Sequence, residues 1–255
     1  MVVGPGLGRD PLTLGAVAEV VAAVRRRGLP MVVDADGLWL ANQQPELVQG
    51  EGPCRIIAAP SSPQLQRGRC CNPQPARPVV TSTPAGYANT VLTPNAVEFK
   101  RLADRLGVDA NSPSALSRVA AALGGPIVLR KGGIDAASDG TAGVECDEPG
   151  SLRRAGGQGD VLSGCIAVFA AWAQRSAGVP AERLHSGNGG SEGSRGGSDS
   201  GASSSLPPLM LAAYGGALVT RRAAARAFKR RRRAMGATDL IEDLGPTVDE
   251  LLDSS

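Results

Sequence analysis

The chain has 255 residues, of which 42% are hydrophobic and 20% charged, a balance typical of globular domains. Its net charge is only +3, and much of it comes from one C-terminal run, so the composition does not indicate a general nucleic-acid surface. The only histidine, His185, lies in a Gly/Ser-rich segment, which argues against Ser-His-Asp, Cys-His and histidine-zinc chemistry. Catalysis would then use carboxylates, Lys or Arg, backbone dipoles or a magnesium ion.

The cysteines and the apolar runs bear on the compartment. None of the five cysteines has a CxxC or metal-ligand spacing, and Cys165 lies in an apolar stretch typical of a free buried thiol. This pattern favours a reducing, intracellular compartment. No secretory or membrane-spanning segment is expected, because the longest apolar run, within 161–173, is too short. The cysteines are Cys54, Cys70, Cys71, Cys146 and Cys165.

The first elements predict a strand-helix-strand unit whose loops face a ligand. A strand, a glycine loop, a helix and a second strand are predicted at 1–3, 4–8, 11–27 and 30–34. Asp34 and Asp36 come at the end of the second strand, the edge where open α/β sheets bind ligands. We expect a functional or magnesium-related role for at least one of them, the alternative being a turn and an N-cap for 38–41. The abrupt start at Met1 predicts an N-terminal truncation.

The middle of the chain predicts an insertion followed by a return to regular structure. Residues 51–90 are rich in proline without periodicity, as in a disordered surface loop. A strand then ends at Thr93-Pro94, where a helix is predicted to start, and another helix is predicted from Ser112 or Pro113 to 123. Asn95 and Glu98 lie in the first turn of the former helix, as ligand contacts or simply as a cap and a dipole-friendly glutamate.

The second half predicts a strand, a hairpin and several helices. The strand covers 126–131 and ends on Lys131, a candidate phosphate contact. The hairpin covers 136–146, and the helices cover 161–175, 208–233 and 239–252, the last capped by Thr238. A Gly/Ser tract gives a second insertion at 184–206. The basic run 229–233 is predicted as a solvated helix terminus, with a targeting or nucleic-acid patch as the alternative.

This alternation of strands and helices predicts an α/β fold, a three-layer α/β/α arrangement with a mainly parallel central sheet. We expect a single catalytic domain over 1–255, interrupted by the two insertions. The candidate ligand segments all fall at strand ends or helix starts, and this convergence is the main evidence for a site.

The stretch from 150 to 164, GSLRRAGGQGDVLSG, carries most of the chemistry and opens directly into an apolar helix. A glycine-rich turn at a helix N-terminus favours anions, because free N–H groups and the helix dipole point at the ligand. The glycines at 156, 157 and 159 let the backbone approach a ligand closely. Asp160 would face a bound phosphate as a general base for phosphoryl transfer; the alternative is a helix cap beside a plain loop.

Five motifs, in order, carry a family resemblance: VVGPGLGRD, VVDADGLWL, LTPNAVEFKRL, LRKGGID and SLRRAGGQGDVLSG. Together they resemble the ATP-dependent (S)-NAD(P)H-hydrate dehydratases, nicotinamide-repair enzymes with a ribokinase-like fold. The resemblance implies ATP-dependent conversion of (S)-NADHX and (S)-NADPHX to NADH and NADPH. The hydrate hydroxyl would be phosphorylated, and phosphate would then be eliminated.

The resemblance also implies residue roles. Asp160 would be the base and a substrate contact, and the backbone of 156–159 would form the anion hole. The other substrate contacts would be Gly6, Asn95, Ala96, Val97, Glu98, Phe99, Lys100 and Arg101. The ATP contacts would be Lys131, Gly132, Gly133, Ile134, Asp135, Gly150, Ser151, Leu152, Arg153, Arg154, Ala155, Gly156, Gly157, Gln158 and Gly159. No metal ligand is assigned, although magnesium (Mg2+) is expected because phosphoryl transfer from ATP requires it.

The implied partner is the small molecule NAD(P)HX, with no nucleic acid and no membrane, a homo-oligomer left open, and a functional link to an NAD(P)HX epimerase. The implied location is cytoplasmic or organellar, in a mitochondrion or plastid. Two alternatives remain: a ribokinase-like kinase for a small hydroxylated molecule, and a non-catalytic truncated paralogue that binds nucleotide. Accumulation of a phosphorylated product would favour the kinase.

Overall fold

The computed structural model describes residues 1–49, 89–177 and 206–253. Within these ranges six strands form one sheet, in the spatial order in which they occur along the chain. β1 to β4 are parallel, whereas β5 is antiparallel to β4 and β6 is antiparallel to β5. The strands are β1 (Val2–Val3), β2 (Met31–Val33), β3 (Thr90–Leu92), β4 (Ile127–Arg130), β5 (Asp135–Ser138) and β6 (Gly143–Cys146). The sheet is therefore mainly parallel, as predicted.

Helices connect and follow these strands. The helices are α1 (Pro11–Arg26), α2 (Ala35–Gln43), α3 (Ala96–Arg105), α4 (Ala115–Leu123), α5 (Gln158–Ala177), α6 (Pro208–Arg231), α7 (Ala237–Glu242) and α8 (Leu244–Asp253). The predicted hairpin is confirmed as β5 and β6. The caps account for several boundaries; for example, Asp10 accepts a hydrogen bond from the backbone N–H of Thr13 at the start of α1.

Alternate residues of the central strands face two separate cores. Met31 and Val33 of β2 contact the first core, to which α1, α2, α3 and α4 contribute. Val32, between them, contacts the second core together with α5 and α6. Successive side chains of a strand point to opposite faces, so a sheet buried on both sides must be covered twice. This arrangement confirms the predicted three-layer α/β/α architecture.

Close backbone packing fixes the two elements that flank the site. A Cβ atom placed on Gly4 would lie 1.7 Å from the carbonyl oxygen of Asp34, and Gly4 has a φ of +127°. The end of β1 therefore touches the start of α2 through backbone atoms, which only glycine allows. On the other face a Cβ atom on Gly216 would lie 2.4 Å from Ile166 Cγ1, so α6 lies directly against α5. A side chain at either glycine would displace an element that carries site residues.

Two predicted helix starts differ from the observed ones. The helix predicted to start at Thr93-Pro94 begins at Ala96, because the Asn95 side chain caps it and the residue before a proline disfavours helical backbone. The helix predicted from Ser112 or Pro113 begins at Ala115. The Asp109 side chain there accepts a hydrogen bond from Asn111, and this local turn competes with helix.

The later helices also differ in their boundaries. The helix predicted from 161 begins at Gln158, which brings Gly159 and Asp160 into its first turn. The helix predicted over 239–252 is two helices, α7 and α8, with the break at Asp243. Pro246 explains this break, since its ring clashes with the carbonyl four residues earlier and ends the helix at Glu242. Thr238 is not the cap; α7 has Gly236 at that position, and its backbone N–H donates to Asp239.

The basic run at 229–233 lies at the end of α6 and in the turn after it. Arg230 pairs with Asp243 at 3.0 Å and Arg231 pairs with Asp239 at 2.7 Å. The hydrogen bond from the Gly236 backbone and the Arg231 guanidinium lower the pKa of Asp239. The run is thus a helix terminus held to the acidic α7–α8 segment, in agreement with the predicted helix terminus.

Some predictions fall on parts of the chain that are not described. Residues 50–88 and 178–205 are outside the described ranges, so most of both predicted insertions, three cysteines and His185 lie there. Thr90, predicted as the end of the first insertion, belongs to β3. Cys146 and Cys165 are free thiols, and burial raises the pKa of each. Across the described ranges, no helix combines the length and hydrophobicity needed to cross a bilayer.

Candidate functional site

Two distant segments meet at the carboxyl edge of the sheet through one buried ion pair. Lys131 Nζ donates to Asp34 Oδ1 at 2.7 Å, across 97 residues of sequence. Asp34 follows β2 and is 2% exposed, while Lys131 follows β4 and its side chain is 19% exposed. A carboxylate this buried is stable as an anion only with such a partner. The pair therefore fixes the ends of β2 and β4 relative to each other.

The first turn of α5 lies next to this ion pair. A Cβ atom on Gly159 would lie 3.5 Å from Asp34 Oδ2 and 3.6 Å from Lys131 Nζ. Gly157, just before the helix, has a φ of +86°, the left-handed conformation that favours glycine. The structure thus brings together the predicted glycine turn, a helix N-terminus with its free N–H groups, and a lysine ammonium. All three favour an anion.

Asp160 is the unpaired carboxylate of this region. It is exposed in the first turn of α5, and its carboxylate forms no hydrogen bond or ion pair with a described residue. Arg153 and Arg154, in the preceding loop, are likewise exposed. One free carboxylate therefore lies at a helix N-terminus that favours anions, with two guanidinium groups in the preceding loop.

The side chain of Gln158 organises the loop that precedes α5. Its Oε1 accepts from the backbone N–H of Ala155 at 3.1 Å, and its Nε2 donates to Ser151 Oγ at 3.3 Å. Leu152, in the same loop, is 92% exposed. These bonds close the loop 151–155 onto the helix start, so the predicted ATP contacts of 150–159 are local neighbours of the glycine turn.

The loop after β4 holds the other predicted ATP contacts. Asp135, at the start of β5, is buried and accepts from the Gly132 backbone at 2.8 Å and from Arg221 of α6 at 2.7 Å. Gly133 and Ile134 are exposed at the tip. Asp135 therefore fixes the buried side of this loop, whereas Lys131 bonds to Asp34 and the tip at Gly133 and Ile134 is exposed.

The predicted substrate segment forms the first turns of α3. Asn95 and Glu98 make a reciprocal capping box, with Asn95 N–H donating to Glu98 Oε2 at 2.8 Å. Phe99 is only 2% exposed and packs in the first core, while Lys100 pairs with Asp104 on the surface. The exposed members are Ala96, Val97, Lys100 and Arg101. Gly6 is exposed in the loop after β1, with a φ of +66°.

The two aspartates that follow β2 point to separate partners. Ala35, between them, has a φ of +47°, a strained value for a residue with a side chain. Asp34 pairs with Lys131, whereas Asp36 accepts from the Gly8 backbone at 3.2 Å and from Arg9 Nε at 3.1 Å. With strained Ala35 between them, the Asp34 carboxylate lies beside the glycine turn of α5 and the Asp36 carboxylate bonds to the loop after β1.

A cavity of about 130 Å³ lies between α2 and α3. Its lining includes three residues that the sequence analysis did not single out, Arg9, Trp39 and Asn42. Arg9 lies 5.3 Å from the centre of the Trp39 ring. Trp39 lies in the motif VVDADGLWL and Arg9 in the motif VVGPGLGRD. The tryptophan in the first motif was the signal in the sequence that could have pointed to these residues. The full lining is Arg9, Ala35, Asp36, Leu38, Trp39, Asn42, Pro94, Glu98, Arg101 and Leu102.

Comparison with known structures defines the class of the fold. A ribokinase-like superfamily protein from Enterococcus faecalis superposes with a TM-score of 0.53 and 14% identity, covering 97% of this chain and 62% of that one. YxkO from Bacillus subtilis gives a TM-score of 0.52 and 16% identity, covering 98% and 65%. The fold is therefore ribokinase-like, as predicted.

Sequence comparison defines the family. The family model for NAD(P)H-hydrate dehydratase matches residues 1–62 and 78–245, so the chain belongs to that family. The protein named ATP-dependent (S)-NAD(P)H-hydrate dehydratase in Schizosaccharomyces pombe is 38% identical over 172 residues, 68% of this chain and 41% of that relative. Its namesake in Bos taurus is 41% identical over 180 residues, 69% and 44% respectively. The chain spans less than half the length of these relatives.

Proposed function

We propose that this chain carries out ATP-dependent dehydration of (S)-NADHX and (S)-NADPHX to NADH and NADPH. The observation that carries the proposal is the unpaired, exposed Asp160 in the first turn of α5, beside the Asp34–Lys131 pair. Family membership supports the substrate class, and the names of the relatives support the use of ATP. The arrangement is what phosphoryl transfer needs, namely a base for the attacking hydroxyl and fixed donors for the phosphoryl charge.

The proposed reaction has two steps. Asp160 takes the proton of the C6 hydroxyl of the hydrated ring as that oxygen attacks the γ-phosphorus, and the bond to ADP breaks. The backbone N–H groups of 156–159 and the Lys131 ammonium hold the negative charge as it moves. The C6–O bond then breaks with loss of phosphate, the neighbouring ring carbon gives its proton to the departing phosphate, and the ring double bond forms.

Magnesium has no preformed cage in the described ranges. No group of three His, Cys, Asp or Glu side chains that could hold a metal occurs there, and Asp34 and Asp36 already have partners. A magnesium ion carried on ATP phosphates usually needs only one or two protein carboxylates. No step above depends on such an ion. The homo-oligomer, the link to an epimerase and the compartment stay predictions from the sequence.

The test follows the near-ultraviolet absorbance of the reduced nicotinamide with purified protein, (S)-NADHX, ATP and magnesium. The expected result is an ATP-dependent rise that falls by about 10²-fold or more in Asp160→Asn, because the base is lost. Asp249→Asn is the matched control, since Asp249 is an exposed carboxylate on α8 and belongs to none of the predicted site segments. A folded protein that gives no rise contradicts the proposal, and an accumulating phosphorylated product would identify a kinase instead.

A further inference from the structure

We propose that the cavity between α2 and α3 binds the adenine base of the dinucleotide substrate, and that the amide of Asn42 reads the amino edge of that base. This inference rests on the proposed function, because it assigns the far end of the same substrate. Its test uses binding alone, so that it can fail or succeed independently of catalysis.

The position of the cavity follows from the layers. Ala35, Asp36 and Pro94 line it, and they come just after β2 and β3, so the cavity lies at the carboxyl edge of the sheet. Its other walls come from α2 and α3, which pack on the face opposite α5. The first turn of α5, with Asp160, lies at the same edge beside Asp34 and Lys131. We therefore place the other end of a dinucleotide whose nicotinamide end is at Asp160 in this cavity.

The size of the cavity limits what it holds. Pockets that enclose a whole drug-sized ligand measure roughly 300–1,000 Å³. At about 130 Å³ this cavity is much smaller, so it can take only one part of a dinucleotide, such as a single ring system.

The walls suit a flat aromatic base. Trp39 is partly buried, and Leu38, Pro94 and Leu102 add apolar surface. Base–aromatic stacking is favourable for any base, and an arginine plane such as that of Arg9 can stack in the same way. These walls select a planar ring without specifying which one.

Asn42 supplies the specificity. Its Oδ1 is buried without a hydrogen-bond partner among the described residues, and the residue lines the cavity. An unpaired buried acceptor is costly, so a ligand that supplies a donor is favoured. The same amide carries N–H donors next to this acceptor. An Asn amide matches adenine with two hydrogen bonds, one to the amino group and one to a ring nitrogen.

Arg101 supplies the charge. It lines the cavity, is exposed, and forms no ion pair with a described residue. Glu98 and Asp36, the acidic residues of the lining, are occupied by the α3 capping box and by Arg9 respectively. Arg101 is therefore available for a phosphate attached to the nucleoside.

The experiment measures quenching of Trp39 fluorescence in the Trp172→Phe background, which leaves Trp39 as the only indole. The probes are AMP, IMP and nicotinamide mononucleotide, without ATP or hydrate. AMP should quench and bind about 10-fold more tightly than IMP, whose ring carries an oxygen in place of the amino group. The variant Asn42→Ala should reduce this AMP/IMP ratio to about 1, since the discriminating amide is gone.

Several results would overturn the inference. Quenching by nicotinamide mononucleotide but not by AMP would assign the cavity to the opposite end of the substrate. Equal binding of AMP and IMP, an unchanged ratio in Asn42→Ala, or no quenching by any probe would each reject the adenine assignment. If circular dichroism shows that Asn42→Ala is unfolded, Asn42→Asp tests the same contact. It keeps the acceptor for the amino group but repels the ring nitrogen, so AMP affinity should fall.

Discussion

Two buried ion pairs hold the loops of this site, and they differ in what they leave free. Asp34–Lys131 and Asp135–Arg221 both have N···O distances of 2.7 Å. Arg221 also donates to the carbonyl oxygens of Glu148 and Gly132, and its hydrogen bond to Asp135 raises its pKa. The Lys131 ammonium makes one hydrogen bond to a described residue and has two further N–H donors beside the glycine turn. The Asp135–Arg221 pair therefore holds the loop in place, whereas the Asp34–Lys131 pair can still bind a ligand.

The variant Lys131→Met tests this difference between the two ion pairs most directly. It should lower kcat/KM by about 10²-fold or more, because a donor to the phosphoryl group is lost. It should also destabilise the fold by about 3 kcal/mol, because Asp34 stays buried without its partner. Steady-state kinetics and urea unfolding measure the two effects separately.

A double variant separates the two roles of Lys131. Asp34→Asn combined with Lys131→Met removes both charges, so stability should largely recover while activity stays low. Full activity in this double variant would show that Lys131 does not contact the substrates.

Arg221→Met should have its largest effect on stability. Removing the guanidinium takes the ion-pair partner from buried Asp135 and one donor from each of two carbonyl oxygens, which should cost about 3 kcal/mol in the free energy of unfolding. The rate per folded molecule should fall far less than in Lys131→Met, since Arg221 lies behind the loop. Urea unfolding and active-site-normalised kinetics check this, and a rate loss as large as that of Lys131→Met would remove the distinction between the pairs.

Gly157→Ala tests the turn that carries the anion site. Alanine at a φ of +86° is strained, and its Cβ would lie 2.9 Å from Ala237 Cβ, so the free energy of unfolding should fall by about 1–2 kcal/mol. Gly156→Ala is the matched control, because it has no positive φ and no atom within 4 Å of its Cβ position. Equal thermal stability of the two variants would contradict a strained turn.

The smallest effect concerns pH and the partly buried Asp239. The Gly236 backbone and Arg231 hold its pKa below the ordinary value, so the unfolded chain binds its proton first as pH falls. Its contribution is present above the unfolded pKa, near 4, and is lost as pH falls through the folded pKa. Thermal unfolding across this acidic range should show a shallower decline for Asp239→Asn than for the parent chain. A parallel decline would mean that the carboxylate contributes nothing.

Local signals in the sequence were sufficient for most of the fold. Periodicity and turn residues that lie close together predict the glycine turn before α5 and the hairpin at β5 and β6. They also predict the order of strands and helices along the chain. The break between α7 and α8 was also predictable, because Pro246 is visible in the sequence. The starts of α3 and α4 were missed because the side chains of Asn95 and Asp109 bond to the backbone there.

The pairings within the site could not be predicted. Asp34 and Lys131 are 97 residues apart, and nothing in either motif indicates that they meet. The cavity depends on Trp39 and Asn42, which have ordinary local sequences and gain meaning only when α2 and α3 pack together. Such contacts arise from the tertiary arrangement of the strands, which a single sequence does not specify.

The order of layers along the chain has a consequence during protein synthesis. All six strands and α1 to α4 precede α5 and α6, so one face of the sheet receives its helices long before the other. Val32, Val91 and Leu129, which are 0%, 0% and 1% exposed in the folded chain, are not fully covered on the ribosome until both α5 and α6 have emerged. A nascent chain stalled before 208–231 would therefore present an apolar sheet to chaperones and to other stalled chains.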